Sequence, residues 1–455
     1  MEKRLPGLVI NSYGYANFSL SLMMNLGMTY YSIFMTDVAG ISPMDLGIIM
    51  GIAGTLDTIS IFVSGSMIQK VRMRWGQFRS WFLFIPVTTF IFFTLSFTNL
   101  PLSYVTKMVY LAAAYVIGHV SLNFAFNSHL GFISVLTTDV QERMRISVRN
   151  IQFGMASSLF FSLVIIPLLT YLKGGSPTMG YFYTVALLGF FQMFGYWNLF
   201  YQTRGYETSS PGRNQGPPNK ITMIEIFVQL LTNSQLLLLM AADCFSQLGI
   251  FSMLNMAIYY LKYIAHNEMW MTVHSSCTTL LSFVTALYAP FFINLLGKKK
   301  TYLFAMAWGS AAYFLLRVFG MSSVYHFTAI ICSGSLLLGV AGPMRQAMYM
   351  DAAEYGYYKT GKDASAFTMS MFTIPIKIAS SLAVALGGFG LEFIGYVANT
   401  EMTAAMAGKL MDIICYIPAG CGLVCVILMS FYKLNDKNVA KIMAANKLKR
   451  EEVKA

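Results

Sequence analysis

The chain has 455 residues, of which 56% are hydrophobic and only 11% are charged, and its formal net charge is +12. Soluble domains usually carry about 25% charged residues, so this composition indicates a membrane protein. The positive charge does not indicate a nucleic-acid partner, because the Lys and Arg residues lie in short segments between apolar stretches. No cleavable signal peptide is expected, and the six cysteines form no CxxC pair, so neither a disulfide framework nor a metal site is expected.

Apolar stretches of about 20 residues cross a bilayer as helices, and the sequence predicts twelve of them. They are 9–36, 46–68, 80–99, 104–136, 149–172, 178–201, 225–263, 271–296, 302–320, 325–349, 365–394 and 405–432. A polar segment rich in Gly, Pro and Ser, 201–224, divides them into six and six. We therefore predict an all-α membrane protein with an N-terminal bundle (1–200), a cytoplasmic linker, a C-terminal bundle (225–432) and a basic tail (433–455).

The distribution of basic residues predicts the orientation in the membrane. Most of the 31 Lys and Arg residues fall in the segments that are cytoplasmic if both termini are inside. This arrangement fits the cytoplasmic membrane of a bacterium. The basic tail is expected to be solvated or to contact anionic lipid, and the protein is expected to act as a monomer.

The second predicted span contains one carboxylate, Asp57, among apolar residues. Gly47, Gly51 and Gly54 precede it at roughly helical spacing, and Ser60 follows it. An ionised Asp at bilayer depth costs about 2.5–3.5 kcal/mol on insertion scales. A functional role is therefore expected at Asp57.

Several local motifs resemble one transporter family along nearly the full length of the chain. They are Thr36-Asp37-Val38-Ala39-Gly40-Ile41-Ser42, Leu56-Asp57, the loop Arg72-Met73-Arg74-Trp75-Gly76-Gln77-Phe78-Arg79-Ser80-Trp81, Met350-Asp351, the run from Glu354 to Lys362, Lys377 and Gly395-Tyr396. Together they resemble the glycoside–pentoside–hexuronide:cation symporters, the melibiose-permease branch of the major facilitator superfamily. The resemblance implies two six-helix bundles and a transport function.

The resemblance also implies a cation-coupling site. In this family the second helix carries two acids four residues apart that bind Na⁺ or H⁺; Asp57 matches the first, but Ile61 occupies the second position. Na⁺ prefers several oxygen ligands, so H⁺ is the expected coupling ion. The family's lysine of the eleventh helix matches Lys377, which is expected to exchange partners with Asp57. The alternative is a static ion pair that neutralises two buried charges.

Polar side chains at helical spacing are predicted to line the substrate cavity. They are Tyr13, Asn17, Ser21 and Asn25 in the first span, Asn123 and Asn127 in the fourth, Arg149 and Gln152 in the fifth, Asp243 and Gln247 in the seventh, and Thr373 in the eleventh. The resemblance places the family's sugar-binding acids near Ser21 and at Phe126 or Asn127, so neither acid has a counterpart here. For the asparagines the alternative is a purely structural hydrogen bond between helices, and for Asp243 it is pairing with a loop cation.

A third set of residues is predicted to gate the cytoplasmic side. Arg72, Arg74 and Arg79 are expected to pair with acids such as Asp351 and Glu354 and to separate from them as the bundles move. The alternative is that both loops only satisfy the positive-inside rule.

The leading prediction is a secondary transporter that moves a glycoside, sugar or sugar acid by alternating access and with proton coupling. The alternative is a uniporter or exporter of a bulkier, less sugar-like solute. No HExxH, GxSxG or Walker motif in a suitable context indicates an enzyme, and no filter-like repeat indicates a channel. No cofactor is expected beyond the coupling ion.

Overall fold

Helices make up nearly all the regular structure in the part of the chain that is described, residues 4–71, 73–137, 139–207, 232–361, 368–369 and 371–452 of a computed structural model. We number them α1 (Gly7–Ile33), α2 (Pro43–Lys70), α3 (Trp81–Ser96), α4 (Tyr104–Leu136), α5 (Val140–Tyr171), α6 (Pro177–Gln202), α7 (Ser234–Tyr263), α8 (Trp270–Leu287), α9 (Ala289–Leu296), α10 (Lys298–Phe319), α11 (Val324–Thr360), α12 (Thr373–Phe393), α13 (Ala404–Ser430) and α14 (Asp436–Glu452). A π-helical turn, Phe34–Val38, continues α1.

Each of the twelve predicted spans overlaps one of these helices, and the span 271–296 overlaps two. By length and composition, eight of the described helices are apolar enough to cross a membrane. A ninth span is the pair α8 and α9, which is bent by 54°. Pro290, the second residue of α9, explains the break, because proline cannot donate a backbone hydrogen bond to the preceding turn.

The helix α11 is longer than its apolar segment. The sequence predicts a span over 325–349, whereas the helix continues to Thr360 and stops where Gly361 adopts φ +69°. Its last turns carry Asp351, Glu354 and Lys359. The difference arises because hydropathy marks where a helix enters lipid, while the helix itself ends at a residue that tolerates a left-handed backbone.

The helices belong to two compact units. The first comprises Met1–Gly216, Asn267–Ser276 and Leu391–Glu401; in it α1 packs on α5 and α6, α2 on α4, and α3 on α4 and α6. The second comprises Pro217–His266, Cys277–Gly390 and Met402–Ala455; in it α7 packs on α13, and α10 packs on α11 and α13. Most of the predicted linker, 201–224, lies outside the described residues.

Each unit has its own core. In the second unit, Tyr302, Met344, Met348, Tyr349 and Cys425 are almost fully buried together. Aliphatic and aromatic side chains on the outer faces of the helices stay exposed, for example Ile52, Val63, Phe190 and Phe194. Exposed apolar faces of this kind suit contact with lipid.

Candidate functional site

The Asp57 carboxylate, in the middle of α2, is held by an asparagine of α4. Asn123 Nδ2 lies 2.7 Å from Asp57 Oδ1, 3.1 Å from Asp57 O and 2.6 Å from Ser60 Oγ. Asp57 is 5% exposed and Asn123 is 3% exposed. The amide donor offsets part of the cost of burying a carboxylate, because a buried polar group without a partner is unfavourable. Asn123, predicted as a substrate residue, thus contacts the predicted coupling acid.

The same contact is repeated one helical turn further along α2 and α4. Asn127 Nδ2 lies 3.1 Å from Ile61 O and 2.8 Å from Ser64 Oγ. We call each set of an α4 asparagine, an α2 carbonyl and the α2 serine three residues later a rung. The two rungs differ in the α2 side chain beside the carbonyl, which is a carboxylate at Asp57 and a hydrocarbon at Ile61.

Tyr13, a predicted substrate residue, contacts protein on all sides in this structure. It is 0% exposed, its ring stacks on His129 with the ring centres 3.8 Å apart, and its hydroxyl donates to His129 O at 2.7 Å. His129 Nε2 lies 3.0 Å from Asn150 Oδ1. These contacts join α1, α4 and α5, and the substrate role of Tyr13 stays a prediction.

Two other predicted substrate residues of α1, Asn17 and Asn25, contact α5. Asn17 Nδ2 donates to Asn150 O at 3.0 Å, and Asn25 Nδ2 donates to Ser158 Oγ at 3.5 Å. Ser21 is partly buried between them. Asparagines commonly join membrane helices in this way. The contacts match the structural alternative for Asn17 and Asn25, and their substrate role stays a prediction.

Arg149 and Gln152 line a cavity of about 480 Å³ in the first unit. Asn11 and Arg145 also line it, and Arg149 Nη1 donates to Gln152 Oε1 at 3.2 Å. Arg145 lies 3.4 Å from Glu142 Oε1 at the start of α5. From Arg145 to Gln152 the helix rises about 10 Å, so the cavity follows nearly two turns of α5. Two guanidinium groups beside two amides suit a ligand with an anionic group and hydroxyls.

Asp243, in α7, pairs with an arginine that the sequence analysis did not single out. Arg345 Nη1 donates to Asp243 Oδ1, and Tyr349 Oη donates to Asp243 Oδ2 at 3.4 Å. Arg345 and Tyr349 lie on α11, so the partner of Asp243 is a helix cation and the alternative of a loop cation is wrong. An arginine within a predicted span, 325–349, was the signal that could have found it.

The other predicted residues of the second unit lie on α7 and α12. Gln247 is 9% exposed, one turn beyond Asp243 on α7. Lys377 is 7% exposed, and Thr373, the first residue of α12, is partly buried one turn before it. Asp57 and Lys377 belong to different units, and their pairing stays a prediction.

The basic loop between α2 and α3 is held by a carboxylate from the segment after α6. Glu207 accepts backbone hydrogen bonds from Gln77 at 2.7 Å, Phe78 at 3.1 Å and Arg79 at 2.9 Å. Gly76 precedes them with φ +113°, and a Cβ at this position would lie 2.4 Å from the Glu207 carboxylate. Glycine is therefore required here by both backbone conformation and space.

Arg79 has partners within the first unit. Its Nε and Nη2 donate to Phe200 O at 2.9 and 2.7 Å, and its guanidinium lies 4.0 Å above the Phe200 ring. Burial lowers the pKa of the Arg79 guanidinium, and the nearby Glu207 carboxylate opposes that shift. Arg74 is exposed in the same loop, whereas Arg72 lies outside the described residues.

Asp351 and Glu354 have partners in the second unit. Lys298 Nζ pairs with Asp351 and also lies 3.6 Å from Asp436 Oδ1 at the start of α14. Asn446, in α14, donates to Glu354 Oε2 at 2.7 Å. The C-terminal helix is therefore tied to α10 and α11 by polar contacts. The gating role of these two acids stays a prediction.

Long apolar helices with buried ionic groups define the class of a polytopic membrane protein. The family comparison then identifies the chain: it belongs to the MFS/sugar transport protein family, which it matches over residues 12–436. The predicted resemblance and the all-α major facilitator fold are confirmed.

Relatives of known name extend over almost the whole chain. It is 28% identical to an uncharacterized symporter, YjmB, of Bacillus subtilis, with 97% of this chain and 95% of the relative covered. It is 24% identical to the glucuronide carrier protein homolog of Escherichia coli, with 97% and 96% covered. Among solved structures, the D-xylose–proton symporter matches with a TM-score of 0.68 and 13% identity over 95% of this chain and 98% of that one, which shows the fold alone.

Proposed function

We propose that this protein is a proton-coupled secondary transporter of a sugar acid or a glycoside that carries a carboxylate. It works by alternating access, and the predicted orientation places both termini in the cytoplasm. The membership in a sugar-transport family supplies the general function, and the residues of the first unit supply the substrate class and the coupling ion.

The cavity lined by Arg145 and Arg149 is the observation that carries the substrate class. Guanidinium groups bind carboxylates through charge-assisted, often bidentate, hydrogen bonds. Asn11 and Gln152 add amide groups that suit sugar hydroxyls. The glucuronide carrier protein homolog, a relative over nearly the full length, is named for a sugar with a carboxylate.

The two rungs of α2 and α4 support a proton as the coupling ion. The first rung contains a single carboxylate, Asp57, whereas a Na⁺ site needs several oxygen ligands. Its Oδ1 is bonded to Asn123 at 2.7 Å, while the second rung presents the side chain of Ile61. One buried carboxylate is sufficient for taking up and releasing a proton. Lys377, on α12, is the proposed cation that favours the release.

Uptake by proteoliposomes tests the proposal with two matched solutes, phenyl β-D-glucuronide and phenyl β-D-glucoside. They differ only in the carboxylate at C6, so their ratio reports recognition of the anion. We expect an inward proton gradient to drive accumulation of the glucuronide and a protonophore to abolish it. Arg149→Gln should lower the preference for the glucuronide by about tenfold or more, because hydrogen bonds to charged groups contribute about 1.5–3 kcal/mol. Arg317→Gln is the control, since Arg317 pairs with Asp412 at a partly exposed position of the second unit and is not one of the cavity-lining residues.

The same assay separates the alternatives. Equal uptake of the two solutes would contradict the substrate class. An uptake rate that neither the proton gradient nor the protonophore changes would indicate a uniporter, with Asp57 and Lys377 as a static ion pair. Stimulation by Na⁺ in place of H⁺ would contradict the coupling ion.

A further inference from the structure

The pair of Asp243 and Arg345 is a buried ion pair inside one compact unit. The Asp243 side chain is 0% exposed and the Arg345 side chain is 11% exposed. Replacing a buried ion pair by apolar residues of similar size is often neutral or stabilising, so stability alone is a weak reason for its presence. The contacts of the arginine indicate what else it does.

Arg345 also holds an aromatic ring that belongs to the segment before α12. Its Cζ lies 5.1 Å from the centre of the Phe372 ring. The ring of Tyr349, one turn further along α11, meets Phe372 edge-on at 5.3 Å and an angle of 84°. Since Asp243 accepts hydrogen bonds from both Arg345 and Tyr349, it fixes the two groups that contact Phe372. The pair thereby connects α7, α11 and the start of α12.

Phe372 lies directly before the first residue of α12, and Lys377 follows within the first turns of that helix. Further along, α12 contacts α7 through small side chains, with Ala379 and Ala383 packed near Leu248. Small side chains allow two helices to approach closely. They oppose sliding and rotation of the helices less than large interlocking side chains do. The Phe372 contact, beside the buried Met371, therefore fixes the start of the helix that carries Lys377.

We propose that Arg345 is a positioning residue for Lys377: held by Asp243, its guanidinium fixes the Phe372 ring and with it the start of the Lys377 helix. The significance of Lys377 rests on the proposed function, whereas the positioning itself depends only on these contacts. Arg345→Lys preserves the charge toward Asp243 but lacks the planar face that stacks on the ring. Phe372→Leu preserves the ion pair and removes the ring.

The test measures how fast a thiol at position 377 reacts. Lys377→Cys is introduced into the full-length protein after the four partly exposed cysteines, Cys244, Cys277, Cys332 and Cys421, have been replaced by Ala. The probe is 2-aminoethyl methanethiosulfonate, applied to the protein in proteoliposomes. We expect Arg345→Lys and Phe372→Leu each to raise the labelling rate about fivefold, because losing one cation–aromatic or aromatic contact raises the population of locally open states by about that factor.

The matched control is Arg317→Lys in the same unit. Arg317 pairs with Asp412, and both side chains are about one-third exposed, so the same substitution alters an ion pair between α10 and α13 and leaves Asp243 and Phe372 unchanged. This variant should leave labelling at position 377 unchanged. Thermal unfolding confirms that each variant is folded, and Arg345→Lys remains informative if Phe372→Leu does not fold.

An unchanged labelling rate in folded Arg345→Lys, or an equal rise in Arg317→Lys, would overturn the positioning role whatever happens to transport. A faster rate in Arg345→Lys with normal proton-driven uptake would uphold the positioning role and contradict the proposed coupling function of Lys377. A faster rate together with slower uptake would support both.

Discussion

The two rungs between α2 and α4 form an internal control for the role of Asp57. Asn123→Ala and Asn127→Ala each remove one amide that bonds to a carbonyl and a serine, but only Asn123 also donates to a carboxylate, at 2.7 Å. A hydrogen bond to a charged group contributes about 1.5–3 kcal/mol, which corresponds to a factor of about 10 to 100 in an equilibrium constant. Asn123→Ala removes this charge-assisted hydrogen bond from the Asp57 carboxylate, whereas Asn127→Ala removes no contact to a charged group.

We therefore expect Asn123→Ala to lower proton-driven uptake by about tenfold or more, because the Asp57 carboxylate loses a charge-assisted hydrogen bond. Asn127→Ala should leave proton-driven uptake in place and lower only the stability, by about 1 kcal/mol. The assay is proton-driven glucuronide uptake by proteoliposomes, with thermal unfolding of both variants for comparison. Equal losses of uptake in the two variants, or none in a folded Asn123→Ala, would refute the reasoning.

Three further substitutions test other contacts. Glu207→Gln removes the charge that holds three backbone N–H groups of the basic loop, and should destabilise the protein by about 1–3 kcal/mol in thermal unfolding, unlike Glu392→Gln at an exposed position. Ile61→Asp adds a second carboxylate to the second rung and should make uptake respond to Na⁺; an unchanged ion dependence in a folded variant would argue against the rung as a cation site. Lys298→Met removes the ion-pair partner Lys298 from Asp351 and should lower the free energy of unfolding by about 3 kcal/mol. The same change at an exposed lysine should lower it less, and equal losses would mean that the pair does not stabilise the fold.

The spans and their helical type could be read from the chain because a bilayer requires each crossing segment to be apolar and to satisfy its own backbone hydrogen bonds. Helix boundaries and breaks that depend on single residues could not be predicted from the hydropathy pattern. The break at Tyr288 depends on one proline in an otherwise apolar run, and the extension of α11 to Thr360 lies beyond the hydrophobic segment. Hydropathy reports neither of these features.

The polar residues could be listed from the sequence, but their partners could not. Spacing of four residues places Asn123 and Asn127 on one face of α4, yet it does not tell whether that face meets α2, a cavity or lipid. In the structure it meets α2, so one asparagine bonds to Asp57 and the other to a carbonyl of Ile61. Arg345 illustrates the same limit, because its partner Asp243 is 102 residues away in the chain.

The sequence alone determined that this is an all-α membrane protein related to the sugar symporters, with few acids inside its predicted spans, since these features depend on composition and local pattern. Only the tertiary structure decided which buried group meets which. It assigned Asn123 to Asp57, Arg345 to Asp243, and Glu207 to the loop after α2. The reason is physical: a buried polar group must be paired, but pairing depends on helix rotation and packing, which the order of residues does not specify by itself.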